Sequence, residues 1–148
     1  MKIRKAKKED FKEYHEIRKE DWDEYLKQQG SKRKITSNQI RKEFNKFVTT
    51  KNHLMLLCKK DKEVTGYLIG TFIKNPYDKL GYVDNLYVRK EFRRRGVAGK
   101  LLKEFIRIMK TKGVDKIQLG AGKENRGALK LYKKLGFEIK FYEMQKQI

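Results

Sequence analysis

The sequence predicts an α/β (α+β) fold in one domain, residues 1–148, with a mixed and mostly antiparallel sheet flanked by about four helices. Three observations predict it. Short β-rich apolar clusters recur in the first two thirds of the chain, and segments of helical period separate them. Two late strands, around Leu86 and Ile117, enclose a helical segment, and a strand–helix–strand order in one sheet makes a right-handed crossover between parallel strands.

Met1 to Ala6 reads as the first strand. From Lys8 to about Gln28, Phe11, Tyr14, Ile17, Trp22 and Tyr25 fit one or two helices, broken near Glu20 to Asp23 and ended by Gly30. Ser37 is the expected N-cap of a helix whose Ile40, Phe44, Phe47 and Val48 form one buried stripe, stopping by Asn52. His53 to Lys59 and Val64 to Ile73 are joined by polar residues and predict an antiparallel hairpin. Asn75 to Asp78 breaks the pattern before a strand from Gly81 to Val88.

A helix from Val97 to Lys112 follows, with Leu101, Leu102, Phe105, Ile106, Ile108 and Met109 on one face and Gly113 at its end. Lys116 to Leu119 is a brief strand, Asn125 to Leu135 a short helix stopped by Gly136, and Phe137 to Ile148 is expected to close the chain as one or two strands. The chain has no internal repeat, linker or low-complexity segment.

A chain of 148 residues buries about two thirds of the surface its unfolded form exposes, which fits a single core. The formal net charge is +20 and would attract phosphates, nucleic acid or anionic surfaces. Lysines are spread over nearly every segment, so the charge describes a solvated surface better than a nucleic-acid face. Cys58 is the only cysteine, lies in an apolar strand and is expected to be structural. No apolar run approaches the length of a membrane span and no signal-like segment opens the chain, so a cytoplasmic location is expected.

The segment Arg93-Arg94-Arg95-Gly96-Val97-Ala98-Gly99-Lys100 carries the chemistry. It directly follows the strand YVDNLYV and opens a helix. Unpaired N–H groups at the helix start, small residues that allow close approach, and arginines together make an anion cradle suited to a pyrophosphate. No G-x-x-x-x-G-K-[ST] is present, and Gly120-Ala121-Gly122 lacks the third glycine of a dinucleotide fingerprint.

These residues resemble the GCN5-related N-acetyltransferase (GNAT) superfamily, whose signature Arg/Gln-x-x-Gly-x-Gly/Ala is filled by Arg93 to Ala98. The resemblance extends to the IRKA…ED opening, the hairpin ending in GYLIG, the YVDNLYV strand and NRGALKLYKKLGF from Asn125 to Phe137. It implies a GNAT-like acyltransferase fold whose two parallel strands splay apart, and acetyl-CoA as cofactor. The backbone of Arg94 to Gly99 would hold its pyrophosphate, with Arg93 and Lys100 flanking. The main chain of Leu86, Tyr87 and Val88 would pair with the pantetheine arm like an added strand.

An amine acceptor must be neutral to attack a thioester, yet a lysine-like amine of pKa about 10.4 is neutral in only about one molecule in a few thousand at pH 7. Asp84 matches the place where some members carry a carboxylate base, with an exposed or hydrogen-bonded strand aspartate as the alternative. Tyr132 aligns with the tyrosine that protonates the departing thiolate, although its spacing with Ala128, Leu131 and Leu135 also fits a core position. Asn125 would contact the pantetheine, order a water or cap its helix. A backbone N–H near Leu86, freed by a bulge, would meet the developing oxyanion. His15 and His53 are isolated, and no residue set has metal-ligand spacing.

Glu16, Glu20, Asp21, Asp23 and Glu24 form an acidic cluster that would receive a polyamine, an aminoglycoside-like polycation or a basic peptide; the alternative is a solvated face paired to Arg18 and Lys19. A competing function is a basic RNA- or ribosome-associated module with a non-catalytic CoA-binding core. Neither an RNP-like strand, a zinc-finger pattern nor a KH-type loop supports it. Relatives are often homodimers, but the short final segment FEIKFYEMQKQI argues against a dimer that exchanges terminal strands.

Overall fold

The computed structural model describes residues 1–148. One sheet of five strands, in the order β1-β2-β3-β4-β5, holds the chain together. The strands are β1 (Lys2–Lys5), β2 (His53–Lys60), β3 (Glu63–Lys74), β4 (Lys79–Val88) and β5 (Lys116–Leu119), and the helices are α1 (Phe11–Gln29), α2 (Ser37–Thr49), α3 (Val97–Thr111) and α4 (Arg126–Lys134). Pairs β1–β2, β2–β3 and β3–β4 are antiparallel, and β4–β5 is parallel, as expected of a strand–α3–strand crossover.

Strand alternation sends side chains to opposite faces, and each face has its own core. On one side α1 and α2 bring Tyr14, Ile17, Ile40, Phe44 and Phe47 onto Met55, Leu57, Tyr67 and Ile69. On the other, α3 lays Leu101, Leu102, Phe105 and Met109 over Leu54, Leu56, Leu68 and Val83. Gly70 is required here, since a Cβ at that position would collide with the Phe105 ring. Cys58 is buried and unpaired, consistent with a structural role. No helix is long and apolar enough to cross a membrane.

Three local expectations are corrected. Helix α1 runs unbroken through Glu20 to Asp23, after a 3-10 turn at Lys8–Asp10, because that segment contains neither Gly nor Pro and its acids find partners on the sheet. The N-cap of α2 is Thr36, not Ser37. Thr36 is extended (φ −88°), its hydroxyl accepts from Gln39 N–H at 3.1 Å, and the Gln39 side chain accepts from Thr36 N–H at 2.8 Å, a reciprocal capping box. Finally, Phe137 to Ile148 forms no strand: it joins none of the five, and its alternation finds no partner within the chain.

Two irregularities in β4 shape the site. Its register with β3 shifts between Ile69 and Gly70, opposite Asn85 and Val83, so Asp84 is the extra residue of a β-bulge. Its parallel pairing with β5 covers only Leu80 to Val83 and ends at Leu119. Beyond Val83 the strands part, and β4 continues to Val88 with that edge open.

Candidate functional site

The open edge of β4 leads through a 3-10 turn at Lys90–Phe92 and the loop Arg93 to Gly96 to the start of α3. Arg89 N–H donates to Thr65 C=O at 2.9 Å, so alternation in the antiparallel ladder turns Tyr87 and Asn85 towards β3. The main-chain groups of Leu86 and Val88 then face the gap left by β5. Of the expected residues Leu86, Tyr87 and Val88, the first presents both main-chain groups, the third its N–H beside a C=O that accepts from Arg93 Nε, and the second braces the edge.

At the far end of that edge, Arg94 and Gly96 both adopt left-handed backbone, φ +60° and +78°. Such residues turn neighbouring N–H groups to one side and form a concave anion nest. Gly96 is the N-cap of α3 without a side-chain cap, and the first intrahelical bond runs from Lys100 N–H to Gly96 C=O at 3.0 Å. Val97, Ala98 and Gly99 N–H therefore have no helical partner and point out of the helix end, where the dipole favours negative charge. Side chains crowd neither glycine: a Cβ at Gly96 would meet nothing within 4 Å, and one at Gly99 only Leu131 at 3.8 Å. Open amides, small residues and a strand edge fit the diphosphate and amide-bearing arm of coenzyme A.

Arg93 turns inward. Its N–H donates to Lys90 C=O, its Nε donates to Val88 C=O at 2.8 Å, its Nη2 reaches Glu24 at 2.9 Å, and its guanidinium lies 5.4 Å from the Tyr87 ring centre. Tyr87 also donates its hydroxyl to Glu24 at 2.8 Å. Burial would raise the Glu24 carboxyl, but the hydrogen bonds from Arg93 and Tyr87 outweigh it and hold the group below the usual range. Arg93, itself partly exposed, thus ties the loop to α1, while Arg94, Arg95 and Lys100 lie exposed beside the nest.

Asp84 accepts a hydrogen bond from Thr71 Oγ1 at 2.6 Å. Burial raises its pKa despite that bond, which favours proton uptake. His53, opposite Thr71 on β2, is shifted down by burial and then by Lys46. Tyr132, like Leu86, Ala98, Leu119 and Leu131, packs against the edge of the α3 core, and its ring lies 5.9 Å from Phe137. Burial raises its pKa and keeps the phenol protonated. Asn125 caps α4, accepting from Ala128 N–H at 3.2 Å through Oδ1. That engages the cap role foreseen for it and leaves its amide N–H₂ for other partners.

The acidic run of α1 is divided. Glu16 and Asp23 are exposed, whereas Glu20 pairs with Arg89 at 3.0 Å and Glu24 with Arg93. Asp21 is drawn into a buried network, accepting from the Tyr67 hydroxyl and from Asn85 Nδ2 at 2.8 Å. Burial raises its pKa in spite of those bonds. Arg18 reaches Asp21 at 3.4 Å but pairs more closely with Glu43 of α2, at 2.8 Å. Sequence reasoning missed Glu24, Tyr67 and Asn85 as supports of the site. One signal was present: Glu20, Asp21 and Glu24 share a helix face by spacing. No group of His, Cys, Asp or Glu side chains is arranged to hold a metal.

Comparison with known proteins agrees with this geometry. A sequence model described as the Acetyltransferase (GNAT) family matches residues 11–137. The N-alpha-acetyltransferase MAK3 of Arabidopsis thaliana is 42% identical over 57 residues, 38% of this chain and 30% of that protein. N-alpha-acetyltransferase 30 of Schizosaccharomyces pombe is 37% identical over 57 residues, 38% of each. The matched stretch thus spans about a third of the length of these relatives.

Among solved structures, a mutant of the BH1408 protein of Bacillus halodurans superposes with a TM-score of 0.88 at 20% identity, covering 100% of this chain and 99% of the other. AAC(6')-Iy in complex with the bisubstrate analog CoA-S-monomethyl-acetylneamine gives a TM-score of 0.78 at 18% identity, covering 98% of both chains. At these identities the likeness is one of fold. Since the family match takes in β2 to β5, the nest and α4, this chain belongs to the Acetyltransferase (GNAT) family.

Proposed function

We propose that the protein is a cytoplasmic, acetyl-CoA-dependent N-acetyltransferase that acts directly on a primary amine of a small molecule, polyamine or peptide. One observation carries the reading: the unpaired edge of β4 runs into the N–H nest at Arg94 to Gly99. Membership of the GNAT family, N-alpha-acetyltransferase relatives and the fold shared with an aminoglycoside acetyltransferase support it.

When bound, acetyl-CoA supplies an acyl group activated as a thioester. Amides of Arg94 to Gly99 hold the diphosphate, and Leu86 and Val88 align the arm as an extra strand. The bulge at Asp84 leaves main-chain donors of β4 to meet negative charge on the acyl oxygen. Asp84, its pKa raised, takes the proton of the attacking amine, directly or through water. Tyr132, held neutral by burial, donates its phenolic proton to the departing sulfur.

Calorimetry with acetyl-CoA tests this first, on the wild type and on Gly96→Glu, where a side chain at φ +78° and a negative charge both oppose the nest. Binding by the wild type, weakened in the variant, is expected. Thiol release over a panel of polyamines, aminoglycosides and peptides with free α-amino groups then identifies the acceptor. A wild type that ignores millimolar acetyl-CoA but binds RNA in a salt-dependent manner would overturn the reading in favour of the basic module.

A further inference from the structure

On the reading that this site transfers an acetyl group, we propose that Asn85 and Asp21 are positioning residues for the transfer. Their hydrogen bond latches β4 to α1 and holds the bulge at Asp84, so that Asp84 and the main-chain donors freed there stay beside the reacting atoms. Side-chain direction carries this. Asp84 and Asn85 are consecutive, yet Asp84 accepts from Thr71 Oγ1 at 2.6 Å and Asn85 donates to Asp21 at 2.8 Å, both on the sheet face of Tyr67 and Ile69. Residues of a regular strand alternate, so two neighbours share a face only where an extra residue is inserted. The register with β3 skips Asp84 alone, between the pairs Ile69–Asn85 and Gly70–Val83.

Chemistry fixes the partners of Asn85. An ionised Asp21 only accepts, and Tyr67 gives its single hydroxyl proton to Asp21, so the Asn85 amide must turn its N–H₂ group inward. One hydrogen goes to Asp21 and the other to the Tyr67 oxygen, each at 2.8 Å. Both helices anchor this triangle. Tyr67 is fully buried, its ring 5.1 Å from that of Tyr14 and 6.3 Å from that of Tyr87. Asp21 is faced by Glu24 of its own helix and by Arg18, which pairs with Glu43 of α2 at 2.8 Å. A charge-assisted bond in so dry a place is of the stronger kind, and removing one partner leaves the others without a substitute.

Without that latch the extra residue could sit at a neighbouring position of β4, and each step along a strand turns side chains to the other face. Asp84 would then leave its place among Thr71 of β3, His53 of β2, and Lys46 and Glu43 of α2. The nest is held by separate contacts, from Arg93 to Glu24 and to Val88 C=O. Loss of the latch should therefore damage the chemical step and spare the cofactor.

Steady-state kinetics and calorimetry with acetyl-CoA on the full chain test the latch. Asn85→Leu keeps the shape of the side chain and removes its hydrogen bonds, so kcat should fall about tenfold or more while acetyl-CoA affinity stays within about twofold. The rise of kcat/KM with pH should also move to lower pH, as Asp84 leaves its partly desolvated place. Asn85→Asp sets two carboxylates face to face and should cost more. Adding Asp21→Asn to it exchanges donor and acceptor across the same contact and should restore most of the lost kcat. Should Asn85→Leu fail to fold, Tyr67→Phe, which keeps the buried ring and removes one arm of the triangle, should show the same split in smaller measure. Wild-type kcat in the folded variant overturns the proposal. So does an equal loss of kcat and acetyl-CoA affinity, or an exchange variant no better than Asn85→Asp. If the wild type binds acetyl-CoA but acetylates no amine, the reading of the reaction fails instead, and the ¹³C titration of the Asp84 carboxyl still decides the latch. That titration should move to lower pH in Asn85→Leu, and an identical one overturns it.

Discussion

Arg93 and Glu24 are 69 positions apart in the chain and meet at 2.9 Å, joining the loop before α3 to the helix on the opposite face of the sheet. Because Arg93 also donates to Val88 C=O, the same guanidinium fixes the end of the β4 edge and the entry to the nest. Removing the carboxylate in Glu24→Gln keeps the shape but loses a charge-assisted bond, of order 1 kcal/mol for a partly exposed pair. The expected result is a roughly fivefold weaker acetyl-CoA affinity with kcat little changed. Equal affinities by calorimetry would show that the loop holds its shape without α1.

Tyr132 is half-buried and protonated, and its hydroxyl makes no hydrogen bond within the protein, which are the properties of a proton donor awaiting its acceptor. Tyr132→Phe retains the packing against Leu131 and Phe137 and removes only the hydroxyl. Turnover should fall by about 10²-fold, the low end of acid–base contributions, with acetyl-CoA affinity preserved. A variant with wild-type kcat would leave the sulfur to another donor.

Much of this arrangement was legible in the sequence because it is local. Lys116 to Leu119 forms its strand and α3 begins at Val97, both as expected. The illegible parts are those fixed by distant partners. The acidic residues of α1 looked like a breakpoint or a basin, and only folding brings Arg89, Asn85 and Arg93 to them. The bulge at Asp84 depends on β3 register, which β4 alone does not encode. The tail shows a strand's alternation, but a pattern specifies a face and supplies no neighbouring strand to pair with.

The pH dependence follows from Asp84. Burial raises its carboxyl, so in the proposed role of base it would act only once the medium passes a pKa above the ordinary carboxylate value of about 4. With an acceptor amine of low pKa, kcat/KM should rise with pH through that ionisation and then level. Asp84→Asn should lower the plateau by about 10²-fold and abolish the rise, as read from pH–rate profiles. If the rise survives in Asp84→Asn, the titrating base lies elsewhere.

A second carboxylate governs stability in the opposite sense. Asp10 is buried, accepts both Arg4 guanidinium nitrogens at 2.7 and 2.8 Å and Lys7 N–H at 2.7 Å, and its pKa is lowered to about 2, first by Arg4. A depressed carboxylate stabilises the fold above its unfolded pKa of about 3.9, by about 2 kcal/mol here, and loses that contribution as pH falls towards 2. Urea melts of Asp10→Asn and wild type should differ most near pH 7 and converge below about pH 2. A difference that is constant across that window would assign the effect to packing.

Gly70 tests how tightly the sheet and α3 are fitted. A Cβ there would overlap Phe105 Cε2, lie 2.6 Å from Phe105 Cζ and 3.0 Å from Tyr82 C=O, and Phe105 is itself fully buried among Leu101, Leu102 and Met109. The ring has no space to retreat into, so Gly70→Ala should destabilise by about 1–3 kcal/mol through overpacking. Phe105→Leu alone leaves a cavity and costs a similar amount. In combination the new methyl occupies part of the space the ring vacates, so the two effects should sum to less than their separate values by at least about 0.5 kcal/mol. Denaturant melts of the four proteins measure that coupling directly. Strict additivity would mean that the backbone of β3 moves away from α3 instead, which would also shift Ile69 and the bulge opposite it and so lower turnover together with stability.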